Sequence, residues 1–534
     1  MDQLAIYVGL FTIIVITCQV FSRSKLPFSL ILVITGMLLS ILPNMPQIQL
    51  NPDVVLNIFL PVLIYQISAF SSWKDIKKSL NPIISLSMGH VIFITVLVAV
   101  VIHTLIPEMG WALAFVLGAV ISPPDDVAIV TIAEKIRMPA RIVTILEGEG
   151  MLNDATALIL FRFALAAVIT HQFAPFRALG TFFLVVGGET LYGLAVGYAT
   201  GWMRMKIRDP VIHTMASVLT PFLAYLPAEH MGGCGVIATV VAGFVIGNVY
   251  SVKFTPEFRL ISRAIWPMLA FAMQSILFLL VGMDMQSILN NISSIPFATL
   301  LLYSSCVIAA VILGRFVWVF GSRYAQLLLP IKQTVIPRWQ FLFVVSWAGM
   351  RGGISLAAAL AVPNLPLSIA GANARDLLLF LIFMVIVATF LIQGLTLPWL
   401  IKLLGIQKYG QREKYNEHLS ELDARLKIIK AVLRWLKEYK KHIANDVKLL
   451  EQAKLYTREY QMLKKNLAEQ IGEHHSEDDH DEQLEQQSAV FLLAQIIEVE
   501  KNVLLRLFRE EKINLAVSNK LLEQLDHRSK FLHA

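Results

Sequence analysis

The sequence predicts an all-α polytopic membrane protein, with about thirteen transmembrane helices, inverted repeats and two broken crossing helices, followed by a cytoplasmic α-helical tail. Three observations lead there. The chain has 534 residues, of which 56% are hydrophobic and 16% charged, and its mean hydropathy is +0.65. The apolar residues gather into repeated runs of about 20, the length that crosses a hydrocarbon core about 30 Å thick. Basic residues cluster in alternate connections between the runs, as they do when those connections lie on the same side of a bilayer.

The first run, MDQLAIYVGLFTIIVITCQVFSRSK, lacks a basic leader and a small-residue cleavage site, so it reads as a span rather than a removed signal. The following runs centre on Leu32, Leu63, Val96, Ala119, Ala155, Gly188, Val218, Val240, Phe271, Ile308, Ala348 and Phe383. Connections after odd-numbered runs carry Arg23 and Lys25; Lys74, Lys77 and Lys78; Lys135, Arg137 and Arg141; Arg204, Lys206 and Arg208; Lys253, Arg259 and Arg263; and Arg323, Lys332 and Arg338. Those after even-numbered runs show Arg177 and Arg375. This places the N-terminus outside and the C-terminus in the cytoplasm, in a cell inner membrane or plasma membrane.

Two runs are interrupted. The fifth, WALAFVLGAVISPPDDVAIVTIAEK, has Pro123 and Pro124 removing two backbone donors, with Asp125 and Asp126 following at mid-depth. The twelfth, SWAGMRGGISLAAALAVP, centres on Gly349, Arg351, Gly352 and Gly353. The two run in opposite directions, as a pair of inverted repeats with broken helices crossing at the midplane requires. Beyond Gly405 the text turns charged and helical, giving a division into a membrane domain, residues 1–405, and a tail, residues 406–534, with a possible regulatory role. Within the tail, LDARLKIIKAVLRWLKEYKKHI and FLLAQIIEVEKNVLLRLFREEKI have helix-period apolar positions, and GEHHSEDDHDEQ reads as a solvated acidic linker rather than a metal site. Cys18, Cys234 and Cys306 have no ligand spacing and read as packing residues. The formal charge of +7 belongs to loops and tail; the lipid bilayer is the expected surroundings, and neither nucleic acid nor a cofactor is expected.

The sixth run, EGEGMLNDATALILFRF, places Glu147, Glu149, Asn153, Asp154 and Arg162 in sequence apolar enough to span, so each carries a desolvation cost that partners or water must offset. At a rise of about 1.5 Å per residue, Asp154 lies about 20 Å beyond Arg141, and Arg351 the same distance beyond Arg338. Asp125 reaches a similar level from Trp111. Glu149 and Arg315 each lie about 12 Å from a cytoplasmic end and are expected to pair. Gly150 stands one turn before Asp154, leaving room beside the carboxylate for an ion or water. A group that holds a proton and a hard cation in turn needs oxygen ligands and a water path; Asp154 is the candidate. Arg162 reads as reaching toward the outer interface, and Glu229 with His230 as a possible pH-sensing pair.

These motifs resemble the monovalent cation/proton antiporter family, in its sodium/proton exchanger branch with an Asn-Asp ion site. EGEGMLNDATALILFRF, SPPDDVA and WAGMRGGISLAAALAVP carry the resemblance, with FLPVLIYQ, AYLPAEHMGGCGVIATVVAGFVIGN and ILFLLVGMDM in family order. The resemblance implies a thirteen-span homodimer that exchanges a monovalent cation, Na+ first and K+ or Li+ as alternatives, for H+ by alternating access. It implies that Asp154 exchanges proton for cation beside Asn153, that Asp125 sits at the first break, that Glu149 and Arg315 form a structural ion pair, and that Arg351 offsets charge at the second break. Asn at 153 implies one-for-one, electroneutral exchange. The sequence departs from the family at Pro124, Gly150 and Gln66, where oxygen-bearing side chains are usual, and adds Asp126 as a compensating carboxylate. K+/H+ exchange, a non-transporting sensor and a channel remain as alternatives; no paired Ser/His or His/Glu motif points to an enzyme.

Overall fold

The computed structural model describes residues 2–21, 27–42, 52–125, 138–170, 175–328, 338–360, 362, 368–369, 372–442 and 447–473. Its membrane part is built almost wholly of helices: α1 (Asp2–Val20), α2 (Phe28–Ser40), α3 (Pro52–Phe70), α4 (Leu80–Leu105), α5 (Pro107–Ile121), α6 (Ala140–Thr170) and α7 (Pro175–Lys206). The series continues with α8 (Pro210–His230), α9 (Val236–Tyr250), α10 (Pro256–Asn291), α11 (Phe297–Leu328), α12 (Trp339–Trp347), α13 (Gly353–Leu360) and α14 (Ala374–Leu403). Among the described residues, 8 helices are long and apolar enough to cross a membrane: α3, α4, α6, α7, α8, α10, α11 and α14. Every centre read from the sequence lies inside one of these fourteen helices except Ala348, which falls in the gap between α12 and α13. A two-residue antiparallel pair, Ser368–Ile369 with Ala372–Asn373, precedes α14.

Water cannot satisfy backbone groups inside a bilayer, so a helix can break there only where protein supplies the partners. Helix α5 ends at Ile121, where Pro123 and Pro124 bring no N–H, and α12 ends at Trp347, four residues before Arg351. The two breaks cross. Pro124 and Arg351 form an isolated antiparallel bridge, and the Asp125 N–H donates to the Met350 carbonyl at 2.7 Å. The Arg351 N–H is taken by Thr389 Oγ1 of α14 at 3.1 Å. The second half of the first broken span, including Asp126, lies outside the described residues.

Without a hydrophobic driving force between helices, packing in a membrane relies on close approach. Gly193, Gly197 and Gly201 recur every four residues on α7 and face α9; a Cβ on Gly197 would stand 2.8 Å from Cβ of Val245, closer than real Cβ atoms come. Helices α2 and α10 meet at Gly36 and Gly282, where a Cβ on either would stand 3.0 Å from the other's Cα.

The chain divides into two compact units, Met1–Glu413 and Lys414–Ala534. Helix α15 (Ile406–His442) begins in the first unit, where Arg338 donates to the Tyr409 hydroxyl, Phe341 meets Tyr409 edge-on and Glu413 accepts the Ala140 N–H at 2.8 Å. The second unit contains the rest of α15 and α16 (Val447–Glu473). The acidic linker beyond Glu473, with His474, His475 and His480, and the second helical pattern of the tail lie outside the described residues.

Candidate functional site

Helix α6 enters the protein interior carrying its polar residues on a single continuous helix. Glu149 is buried, and Arg315 of α11 meets it with both terminal nitrogens, Nη1 to Oε1 at 2.6 Å and Nη2 to Oε2 at 2.8 Å. A two-pronged guanidinium–carboxylate contact satisfies both charges at once, which is what makes a buried pair tolerable. Arg315 does more than pair. Its Nε donates to the Val345 carbonyl at 3.1 Å and Nη2 to the Ala348 carbonyl at 3.4 Å, so it holds the carbonyl end of α12, where the helix dipole is negative. Gly349 leaves room for this: a Cβ there would stand 2.6 Å from Arg315 Cδ. His90, fully buried in a π-type turn of α4, places Nδ1 3.9 Å from Glu149 Oε1.

One turn along α6, Asn153 is fully buried and its amide donates to the Pro124 carbonyl at 2.9 Å. The amide thereby replaces a partner lost where α5 unwinds. Asp125 lies just past that carbonyl, its carboxylate against Gly352 at the start of α13; a Cβ on Gly352 would stand 2.6 Å from Asp125 Oδ2. The positive end of α13 thus faces a carboxylate, while the negative end of α12 faces Arg315. Arg351 is fully buried, and its guanidinium makes no hydrogen bond among the described residues.

Asp154 faces a cavity of about 40 Å³, where a water needs about 10–15 Å³ on the same measure. Its floor comes from the first break and α6: Pro123, Pro124, Asp125, Gly150, Met151 and Asp154. Its far wall is α3 and α10, with Leu63, Ile64, Ile67, Leu277 and Phe278 around one polar side chain, Gln274; Gly352 and Ser355 close it from the second broken span. A smaller cavity on the other side of Asp154 is bounded by Ala119, Ala157, Phe161 and Ala358 and shares Pro123, Asp154 and Ser355 with the first.

The structure therefore brings Asp154 and Asp125 to one cavity and sets Asn153 behind the break as a strap. Glu149 and Arg315 stand together away from the cavity wall. Pro124 and Gly150 line the cavity without a side-chain oxygen, and Gln66 is not among its lining residues. Arg162 does not reach outward alone: it pairs with Glu229 at 3.0 Å and also donates to the Gly233 carbonyl, because a carboxylate on α8 lies within its span. Sequence reasoning passed over Gln274 and Ser355, neutral polar residues in apolar helices, whose only signal was their position on a helix facing Asp154. It also passed over Glu189 of α7, which is buried and accepts the N–H groups of Cys234, Gly235, Ile237 and Ala238 at 2.5, 3.0, 3.1 and 3.3 Å, capping the start of α9. The glycine-rich MGGCG entry to α9 was the signal, since its exposed N–H groups need an acceptor.

Among the described residues no group of three or more His, Cys, Asp or Glu is gathered to hold a metal ion. Residues 9–403 match the family model for the transmembrane sodium/hydrogen exchanger. The chain is 33% identical over 409 residues to an uncharacterised Na+/H+ exchanger of Mycobacterium bovis, covering 75% of this chain and 74% of that protein. It is 29% identical over 425 residues to the low-affinity Na+/H+ antiporter NhaS1 of Synechocystis, covering 78% and 76%, and 28% identical over 426 residues to a sodium, potassium, lithium and rubidium/H+ antiporter of Bacillus pumilus, covering 77% and 62%. The fold is shared with the sodium proton antiporter MjNhaP1 of Methanocaldococcus jannaschii, with a TM-score of 0.58 at 17% identity, covering 76% of this chain and 100% of that one.

Proposed function

Because the chain belongs to the transmembrane sodium/hydrogen exchanger family, we propose that it is a secondary antiporter exchanging Na+ for H+, with Asp154 as the group that proton and cation occupy in turn. The observation that carries this reading is the cavity between the crossed breaks and the apolar wall of α3 and α10, lined among the described residues by two carboxylates and no basic side chain. Two acidic groups sharing a small, poorly solvated space repel when both are charged, and one cation or one proton between them relieves that repulsion. Asp125 is held in place by its carboxylate's position against Gly352, at the positive end of α13. Asp154, which makes no hydrogen bond among the described residues, is the one that exchanges. One titrating carboxylate carries one H+ against one Na+, giving electroneutral turnover.

Alternating access follows from the materials of the two walls. The break wall is pinned by Arg315, Asn153 and the Asp125–Met350 bond, while the α3/α10 wall offers mostly apolar contact that can slide. We place the N-terminus outside and the tail in the cytoplasm of an inner or plasma membrane, and assign a homodimer, on the loop charges and the family resemblance. K+/H+ exchange is the second reading, favoured by the likeness to the sodium, potassium, lithium and rubidium/H+ antiporter of Bacillus pumilus. In inverted vesicles with an acid interior, adding Na+ outside is expected to dissipate the pH gradient. A response to K+ alone would replace the first reading with the second, and no response to any monovalent cation would refute both. A current driven by membrane potential in reconstituted vesicles would contradict the one-for-one stoichiometry.

A further inference from the structure

A monovalent cation entering a protein leaves its hydration shell and needs several oxygens in exchange. Asp125 and Asp154 supply carboxylate oxygens, but Pro124 and Gly150, beside them on the wall, supply none from their side chains. Two neutral side-chain oxygens line the same cavity. Ser355, on α13, is nearly buried, and it borders both cavities that flank Asp154. Gln274, on α10, is the one polar lining residue of the opposite wall.

Among the described residues, neither side chain makes a hydrogen bond to another group. Serine and threonine in these helices ordinarily turn back on their own backbone: Ser275, next to Gln274, donates to the Phe271 carbonyl at 2.6 Å, and Thr156 of α6 to Leu152 at 3.2 Å. Ser355 has no such bond, because four residues before it the chain is unwound at Arg351. The Gln274 amide likewise makes no hydrogen bond among the described residues, although it sits in a wall otherwise made of Leu, Ile and Phe. An amide in that position costs free energy unless a ligand or water satisfies it.

We propose that the Ser355 hydroxyl and the Gln274 amide oxygen are cation ligands that stand in for the side-chain oxygens absent at Pro124 and Gly150, with Gln274 as the determinant of selectivity. This rests on Asp154 being the exchange site. The two ligands differ in kind. Ser355 belongs to the same broken span as Gly352 and accompanies Asp125 and Asp154. Gln274 reaches from the facing wall, so its bond to the ion forms only while the two walls are in register, which ties ion affinity to conformation. A neutral amide also sets a weaker field than a carboxylate, which reduces discrimination between Na+ and the larger K+.

The test is full-length protein in proteoliposomes, with exchange rates measured against Na+, Li+ and K+ concentration, and wild type and Asp154→Asn run alongside. Gln274→Leu is expected to raise the KM for Na+ about tenfold with the maximal rate retained, the loss of one ion–dipole ligand. Gln274→Glu is expected to lower the KM for Li+ and Na+ relative to K+, and Ser355→Ala to raise the KM for all three cations together. Stabilisation of the detergent-purified protein by added Na+ supplies a readout independent of turnover; it is expected to need about tenfold more Na+ in Gln274→Leu. Should Gln274→Leu fail to fold, Gln274→Asn, which keeps the amide one methylene short, is expected to give a smaller rise in the same KM. Unchanged KM values and an unchanged selectivity order in the Gln274 variants, with wild type active and Asp154→Asn inactive, would overturn the inference and leave the exchange site standing. An inactive wild type would instead refute the proposed function.

Discussion

Replacing Arg315 with leucine tests how the site is held up. The guanidinium donates four hydrogen bonds, two to Glu149 at 2.6 and 2.8 Å and two to the carbonyls of Val345 and Ala348 at 3.1 and 3.4 Å. Arg315→Leu would leave a carboxylate that is 1% exposed without its counter-charge, and stranding one member of a buried pair costs about 3–5 kcal/mol. Glu149→Gln removes the charge but leaves Arg315 on the two carbonyls, so it is expected to cost less, about 2–3 kcal/mol. Combining Arg315→Leu with Glu149→Leu removes both charges, and the expected loss is smaller than the sum of the singles by about 2 kcal/mol or more. What remains unrepaired in the double variant is the carbonyl end of α12. Unfolding of each purified variant by sodium dodecyl sulfate in mixed micelles, followed by circular dichroism, measures these differences. Single variants within about 0.5 kcal/mol of wild type, or a double variant whose loss is additive, would refute the reasoning that this pair supports the second break.

Three further outcomes follow from the same geometry. Asn153→Ala leaves the Pro124 carbonyl without its donor and is expected to cost about 1–3 kcal/mol in the same unfolding assay, with exchange reduced because the first break is no longer strapped to α6. Glu189→Gln replaces a carboxylate that accepts four N–H groups with an amide offering one oxygen; a loss of about 1.5–3 kcal/mol is expected, seen as faster amide hydrogen exchange at Cys234–Thr239, whereas unchanged protection would remove Glu189 as the cap of α9. On the proposal that proton and cation compete for Asp154, the KM for Na+ is expected to rise as pH falls, approaching tenfold per pH unit on the acid side, while the maximal rate stays level. A KM independent of pH in proteoliposomes would mean that the two ions do not share the site.

The fold was legible because a bilayer imposes few solutions on an apolar chain: run length marked the helices, and paired prolines and glycines marked the breaks. Depth counting from basic residues brought Glu149 level with Arg315, and their side chains meet. What the residues could not disclose was direction. Asn153 and Asp154 are neighbours, yet one straps a carbonyl behind the break and the other faces the cavity, a difference of one helical position. Arg351 lies fully buried at the second break, and the hydrogen bonds to the carbonyl end of α12 come from Arg315, on a helix distant in sequence. Gln274 and Ser355 are neutral residues in apolar runs, and only the packing of α10 and α13 around Asp154 gives them meaning. Asp126, which the sequence offered as a compensating carboxylate, lies outside the described residues.

The role of Asp154 is settled by one comparison: inverted vesicles with an acid interior, containing either wild type or Asp154→Asn at equal abundance, challenged with Na+ while a pH-sensitive dye reports the gradient. The asparagine keeps the shape and removes the charge. Wild type is expected to dissipate the gradient and the variant to leave it intact across the whole pH range. Sodium-driven proton efflux persisting in Asp154→Asn would contradict the claim that cation and proton take turns on this carboxylate.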